Sequence, residues 1–119
     1  MTTLRVGIAS YDDMKARTLR IARGEERPAP NAPKVWFVST ESFAKVMSKG
    51  NRALLRQIAD HRPGSLDELA RISGRRKSNL SRTLKTMAGY GLVELRRGAR
   101  GRIAPRLKFD RIVLDLPVV

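Results

Sequence analysis

Cysteine is absent from the 119 residues, and histidine occurs once. The first absence excludes disulfides, thiolate-held zinc and a cysteine nucleophile, and suits a reducing compartment. Aromatics are scarce, with one Trp, two Tyr and three Phe, and they are not interleaved with basic residues as a base-stacking platform requires. No apolar run approaches the roughly 20 residues of a membrane span. The amino end has no long apolar stretch behind positive charge, so export and membrane insertion are not expected. Neither a phosphate-binding glycine loop ending in Lys and Ser or Thr nor a dinucleotide fingerprint occurs. The single histidine, His61, falls at a predicted helix end and is read as a dipole partner or surface residue. Ser10, Ser39 and Ser42 have no histidine partner that the sequence can place, and the carboxylate neighbours Asp12 with Asp13 and Asp67 with Glu68 fall at helix starts, where negative charge complements the dipole. No catalytic residue, metal ligand or cofactor is expected.

Acidic residues are also few: 11 Asp and Glu stand against 25 Lys and Arg, for a net charge of +14. The excess is uneven, +4 from Met1 to Lys49 and +10 from Gly50 to Val119, and between Arg75 and Arg111 twelve basic residues face only Glu94 and Asp110. Such a field attracts a polyanion. The length allows one domain with appendages.

The basic region carries helical punctuation. Leu54, Leu55, Ile58 and Ala59 repeat at helical spacing over Asn51 to His61, and Pro63 with Gly64 closes the segment. Ser65 stands three residues before Glu68, the spacing of a reciprocal capping box, and Leu66, Leu69, Ala70 and Ile72 supply an apolar stripe that Gly74 ends. A second helix follows from Lys77 to Ala88, about 18 Å at about 1.5 Å per residue. Leu80, Leu84 and Met87 share its packing side, Ser78, Arg82 and Lys85 fall opposite, and Asn79, Ser81 and Thr86 flank them. No carboxylate occurs from Gly74 through Leu92. Gly89, Tyr90 and Gly91 stop the helix, Leu92 to Leu95 begin a strand, and a return strand runs from Ile103 to Leu107 around a turn bearing Arg97, Arg100 and Arg102. A rod of this width fits a major groove about 12 Å wide, and guanidinium groups on the turn suit phosphates or a minor groove.

Leu69 and Ala70 with Gly74, then Ser78, Leu80, Ser81, Arg82 and Leu84, and the exit Gly91, Leu92, Val93 resemble the winged helix-turn-helix regulators of the MarR and ArsR type over about residues 51 to 107. The whole chain also resembles a group of small prokaryotic predicted regulators, often regarded as antitoxins, with a strand KVWFVS and a helix ESFAKVM ahead of the winged part. The resemblance implies an α+β fold of three helices plus a β-hairpin wing. It further implies that Lys77, Ser78, Ser81, Arg82 and Lys85 face DNA and that Arg97, Arg100 and Arg102 form the wing. Arg75, Arg76 and Asn79 complete the DNA-binding set as flanking polar groups.

The expected organisation is therefore an extension over 1–49, a winged domain over 50–107 and a terminal strand over 108–119. Within the extension, Thr3 to Ile8 reads as a strand, and Ser10 caps a helix from Tyr11 to Arg23 with an imperfect stripe of Met14, Leu19, Ile21 and Ala22. Residues 25–33 form a proline-bearing connector that marks the expected internal boundary. Lys34 to Ser39, with Val35, Trp36, Phe37 and Val38 in one run, has the composition of a strand buried on both faces. Arg111 to Leu116 is a further strand. These edges are expected to pair with each other, with the first strand or across a dimer.

A single recognition helix contacts few base pairs, so a homodimer built from the amino-terminal third and the last strand is expected. The expected function is a cytoplasmic, nucleoid-associated, sequence-specific regulator of transcription that binds double-stranded DNA, a repressor of its own operon. One alternative is an antitoxin that binds a toxin protein and regulates its own operon. Another is a nonspecific architectural nucleic-acid-binding protein held by charge alone.

Overall fold

The computed structural model describes residues 2–118, an α+β chain with five α-helices and two small sheets. The chain divides into two compact units, one made of residues 1–45 with 111–119 and the other of residues 46–110.

In the first unit, strand β1 (Thr3–Ile8) is followed by helix α1 (Tyr11–Ala22), strand β2 (Val35–Phe37) and helix α2 (Thr40–Val46, whose last residue is counted with the second unit). The last strand of the chain, Arg111–Asp115, belongs to the same sheet. β1 is central and parallel to both neighbours, with Gly7 opposite Trp36 on one side and Arg5 opposite Val113 on the other. Both late strands thus pair with the first strand and not with each other.

The side-chain alternation of β1 divides the sheet. One face holds Leu4 and Val6, both buried, and Phe37, whose ring meets Phe43 of α2 edge-on at 5.3 Å. The other face carries Arg5, Gly7, Trp36 and Asp115. Ser10 caps α1 by accepting the Asp13 N–H at 3.2 Å. The helix then turns Met14, Arg17 and Ile21 inward, all half-buried, while Leu19 is 45% exposed. The stripe expected from apolar residues alone is therefore corrected by Arg17, whose guanidinium lies 5.3 Å from the Trp36 ring centroid. A cation over an indole face does the work of an apolar contact while keeping its charge near water. β2 also differs from expectation. It spans three residues at a sheet edge, and Val38 beyond it is 58% exposed, so the run is not covered on both faces.

The second unit contains helix α3 (Lys49–His61), helix α4 (Leu66–Ser73), helix α5 (Lys77–Gly89) and an antiparallel hairpin of β3 (Val93–Arg97) and β4 (Ile103–Leu107). With these named, the terminal strand is β5 (Arg111–Asp115). Ser48 caps α3 through the Asn51 N–H, and Arg62, at φ 44°, ends it in the left-handed region ahead of Pro63. Ser65 caps α4 by accepting the Glu68 N–H at 3.1 Å. The returning bond of the expected capping box shifts by one residue, since the Glu68 carboxylate accepts from Gly64 N–H at 2.8 Å. Leu54, Ile58, Leu66, Leu69, Leu80, Leu84, Met87, Leu92 and Val93 form the apolar interior, closed by Pro63 and Pro105. Pro105 is tolerated because β4 belongs to a two-stranded ribbon with an unpaired side.

Two glycines are demanded by geometry. Gly74, at φ 75°, turns the chain from α4 toward α5 with no atom near its absent side chain. Gly74→Ala is expected to cost about 1 kcal/mol of purely conformational strain, measured by urea unfolding. At Gly7 the reason is contact: a Cβ would stand 2.4 Å from Cζ3 of Trp36 and 3.0 Å from Cγ of Pro33. Gly7→Ala is expected to destabilise by about 1–3 kcal/mol and to change the emission of Trp36, the chain's one tryptophan.

Candidate nucleic-acid interface

The rotation of α5 about its axis follows from three side chains. Leu80, Leu84 and Met87 are each no more than 1% exposed. Full burial of such a side chain contributes about 1.5–3 kcal/mol, so turning the helix by half a revolution would forfeit more than any surface ion pair returns. The opposite side is thereby committed to solvent: Arg76, Lys77, Ser78, Asn79, Arg82, Lys85 and Thr86 are exposed, and Ser81 is half-buried at the margin. Arg76 precedes the helix without a side-chain acceptor for its first N–H groups.

The hairpin supplies a second cationic edge. Gly98 N–H donates to the Arg102 carbonyl at 2.7 Å, Arg100 sits at φ 61° and Gly101 at φ 70°, and this tight reversal leaves Arg97, Arg100 and Arg102 exposed. Besides the buried Leu92, Val93 and Pro105, the ribbon is held by Arg106, whose Nη1 donates to the carbonyls of Pro63 and Pro105, both at 2.7 Å. That guanidinium links β4 to the turn between α3 and α4.

The fold brings part of the expected set together. Lys77, Arg100 and Arg102 line one open hollow of about 220 Å³ with Ser65, Asp67 and Ile103. Arg82 and Lys85 continue the polar side along α5 beyond the hollow, and Arg97 does not line it.

Two members of the set are engaged within the protein. Lys77 Nζ lies 3.2 Å from the Asp67 carboxylate, an exposed pair of the kind worth 0–1 kcal/mol. Half-buried Arg75 donates through Nη1 to Asn51 Oδ1 at 3.1 Å, while Asn51 Nδ2 donates to the Val46 carbonyl at 3.0 Å. Arg75 thereby ties the start of α5 to the start of α3.

Asp67, Asn51 and Arg106 are the positioning residues that sequence reasoning passed over. Asp67 carried a signal only for its own helix start. Its partner is ten positions away, and the Arg75 and Arg106 contacts span 24 and 43 positions, so no local spacing marks them.

The chain belongs to the HVO_A0114 family, whose model matches residues 46–114, more than half of the sequence. The matched span includes all three helices and the hairpin just described. No curated protein and no solved structure matches the chain. Among the described residues, no helix is long and apolar enough to cross a membrane.

Arg106→Ala is expected to cost about 1–3 kcal/mol, because it removes charge-assisted hydrogen bonds to partly buried carbonyls. Faster amide exchange confined to 93–97 and 103–107 would be the accompanying sign.

Proposed function

We propose that residues 46–110 form a winged helix-turn-helix that binds double-stranded DNA, and that the protein acts as a dimeric, sequence-specific regulator of transcription. In this reading α5 is the recognition helix and the β3–β4 hairpin is the wing. The observation that carries it is the joint exposure of the polar side of α5 and the arginine-tipped hairpin, with Lys77, Arg100 and Arg102 around one hollow. Residues 46–110 hold sixteen Lys and Arg against five Asp and Glu. No carboxylate lies on α5 itself, so a phosphate chain laid along it meets no repulsion from that helix.

Roles divide by position. Ser78, Asn79, Ser81 and Arg82, in the first half of α5, reach base edges, with Arg82 suited to paired acceptors on guanine. Arg76, Lys77 and Lys85 take phosphates, as do Arg97, Arg100 and Arg102 on the wing. Arg75 acts chiefly through Asn51, holding the helix start in place. Two copies arranged on a two-fold axis read half-sites about 34 Å apart.

Selection of binding sites from random duplex at moderate salt tests the reading. A palindrome is expected, and recovery of no preferred sequence would replace it with charge-only binding. Arg82→Ala is expected to cost about 1–3 kcal/mol on the selected site and to relax its sequence preference. Arg100→Ala is expected to weaken selected and random duplex alike and to reduce the slope of log affinity against log salt by about 0.9. Equal losses on both duplexes for Arg82→Ala would remove its base-reading role.

A further inference from the structure

The three-stranded sheet ends in two edges that differ in kind. β2 offers only three residues, with Pro33 two positions ahead of it, and so presents a short edge. β5 offers five, Arg111–Ile112–Val113–Leu114–Asp115, with one side paired to β1 and no strand on the other among the described residues. No proline or bulge interrupts it, and Leu114 on it and Leu116 just beyond are 37% and 47% exposed. A row of unpaired N–H and C=O groups beside exposed leucines is a template for another strand.

The five residues are self-complementary when read in opposite directions. Opposing β5 to a second β5 antiparallel with Val113 at the centre places Arg111 against Asp115, Ile112 against Leu114, and Val113 against itself. Register is further limited by alternation, because a two-fold axis normal to the sheet keeps each face continuous and forbids a slip of one residue. Centring on Ile112 would set Arg111 against Val113, and centring on Leu114 would set Asp115 against Val113. Only the Val113 centre matches both charges and uses the whole strand.

We propose that two copies of this chain join edge to edge through β5, antiparallel about Val113, making one six-stranded sheet in which Arg111 of each copy faces the partner's Asp115. The occupant is a second copy, and the argument for it is this charge and apolar complementarity. The proposal deepens the dimeric part of the function above and rests on that reading only for the number of copies.

Light scattering without DNA at micromolar concentration is expected to show a dimer. Arg111→Asp and Asp115→Arg each set like charges across the seam at two places and are expected to raise the dissociation constant about 10- to 100-fold. Mixing the two variants restores opposite charges at both places and is expected to recover a heterodimer far tighter than either variant's homodimer, short of wild-type strength only by the contact of Asp115 with Arg5 of its own copy. That recovery also shows that each variant folds. Because the chain has no cysteine, Val113→Cys introduces the only one. Its two copies would lie about 4.5–5.5 Å apart between Cα atoms, within disulfide reach, and mild oxidation is expected to link them.

A monomeric wild type overturns the proposal. So does undiminished dimerisation by both charge variants, failure of the mixture to associate, or faster crosslinking at Ile112→Cys or Leu114→Cys than at Val113→Cys. An intact dimer that binds no duplex defeats the DNA reading alone, and a monomer that binds duplex specifically defeats the β5 pairing and the two-copy part of the function above while leaving the DNA reading standing.

Discussion

Burial of Leu80, Leu84 and Met87 fixes how α5 sits, and the remaining features of the second unit depend on that rotation. Leu69 of α4 is fully buried in the same interior, and the chain leaving α5 turns at Gly91 so that Leu92 N–H donates to the Met87 carbonyl before Leu92 and Val93 enter the core. The helix is thus held through its apolar side and through the strand that follows it. The polar side receives its direction as a consequence. Arg82 and Lys85 need no partner of their own to be presented, because the alternative rotation would expose three fully buried side chains.

Local punctuation made much of this unit readable in advance. Ser65 with Glu68, Gly74, and the run from Gly89 to Gly91 act within a few residues of themselves, and each forms a cap or turn where its chemistry demands one. The exposed set on α5 was readable for the same reason, since a period of 3.6 converts three leucine-like positions into a polar side opposite them. What the sequence could not disclose are contacts whose partners lie far along the chain. Asn51 holds Arg75, Asp67 holds Lys77 and Arg106 holds Pro63, and none of these pairs has a spacing that marks it.

The first unit shows the same limit more sharply. β1 and β5 pair across more than a hundred residues, and composition left the first strand as one of three possible partners for the last without choosing among them. Two details ran against composition. The apolar run from Val35 to Val38 yields a three-residue edge strand, because Val35, Trp36 and Phe37 alone find partners on β1. The inward side of α1 includes Arg17, a residue that an apolar template scores as outward, because Trp36 offers its ring face across the sheet from Gly7. The missing side chain at Gly7 makes room for that ring, so one glycine, one tryptophan and one arginine form a single packing unit.

The two units also divide the charge. Residues 46–110 carry sixteen basic and five acidic side chains, whereas residues 1–45 with 111–119 carry nine and six. A net charge of +11 makes the second unit a poor surface for meeting its own copy, because like charges brought together without a counter-ion repel, and it makes the same unit an apt one for a polyanion. The first unit, at +3 and with Arg5, Arg17 and Arg20 each close to a carboxylate, carries little such penalty. The charge division thus agrees with the two proposals, which put self-association on the sheet and polyanion binding on the helices and hairpin. β5, the last strand of the chain, lies in the unit of lower net charge, and Arg111 and Asp115 at its two ends carry opposite signs, the pattern on which the proposed antiparallel pairing rests.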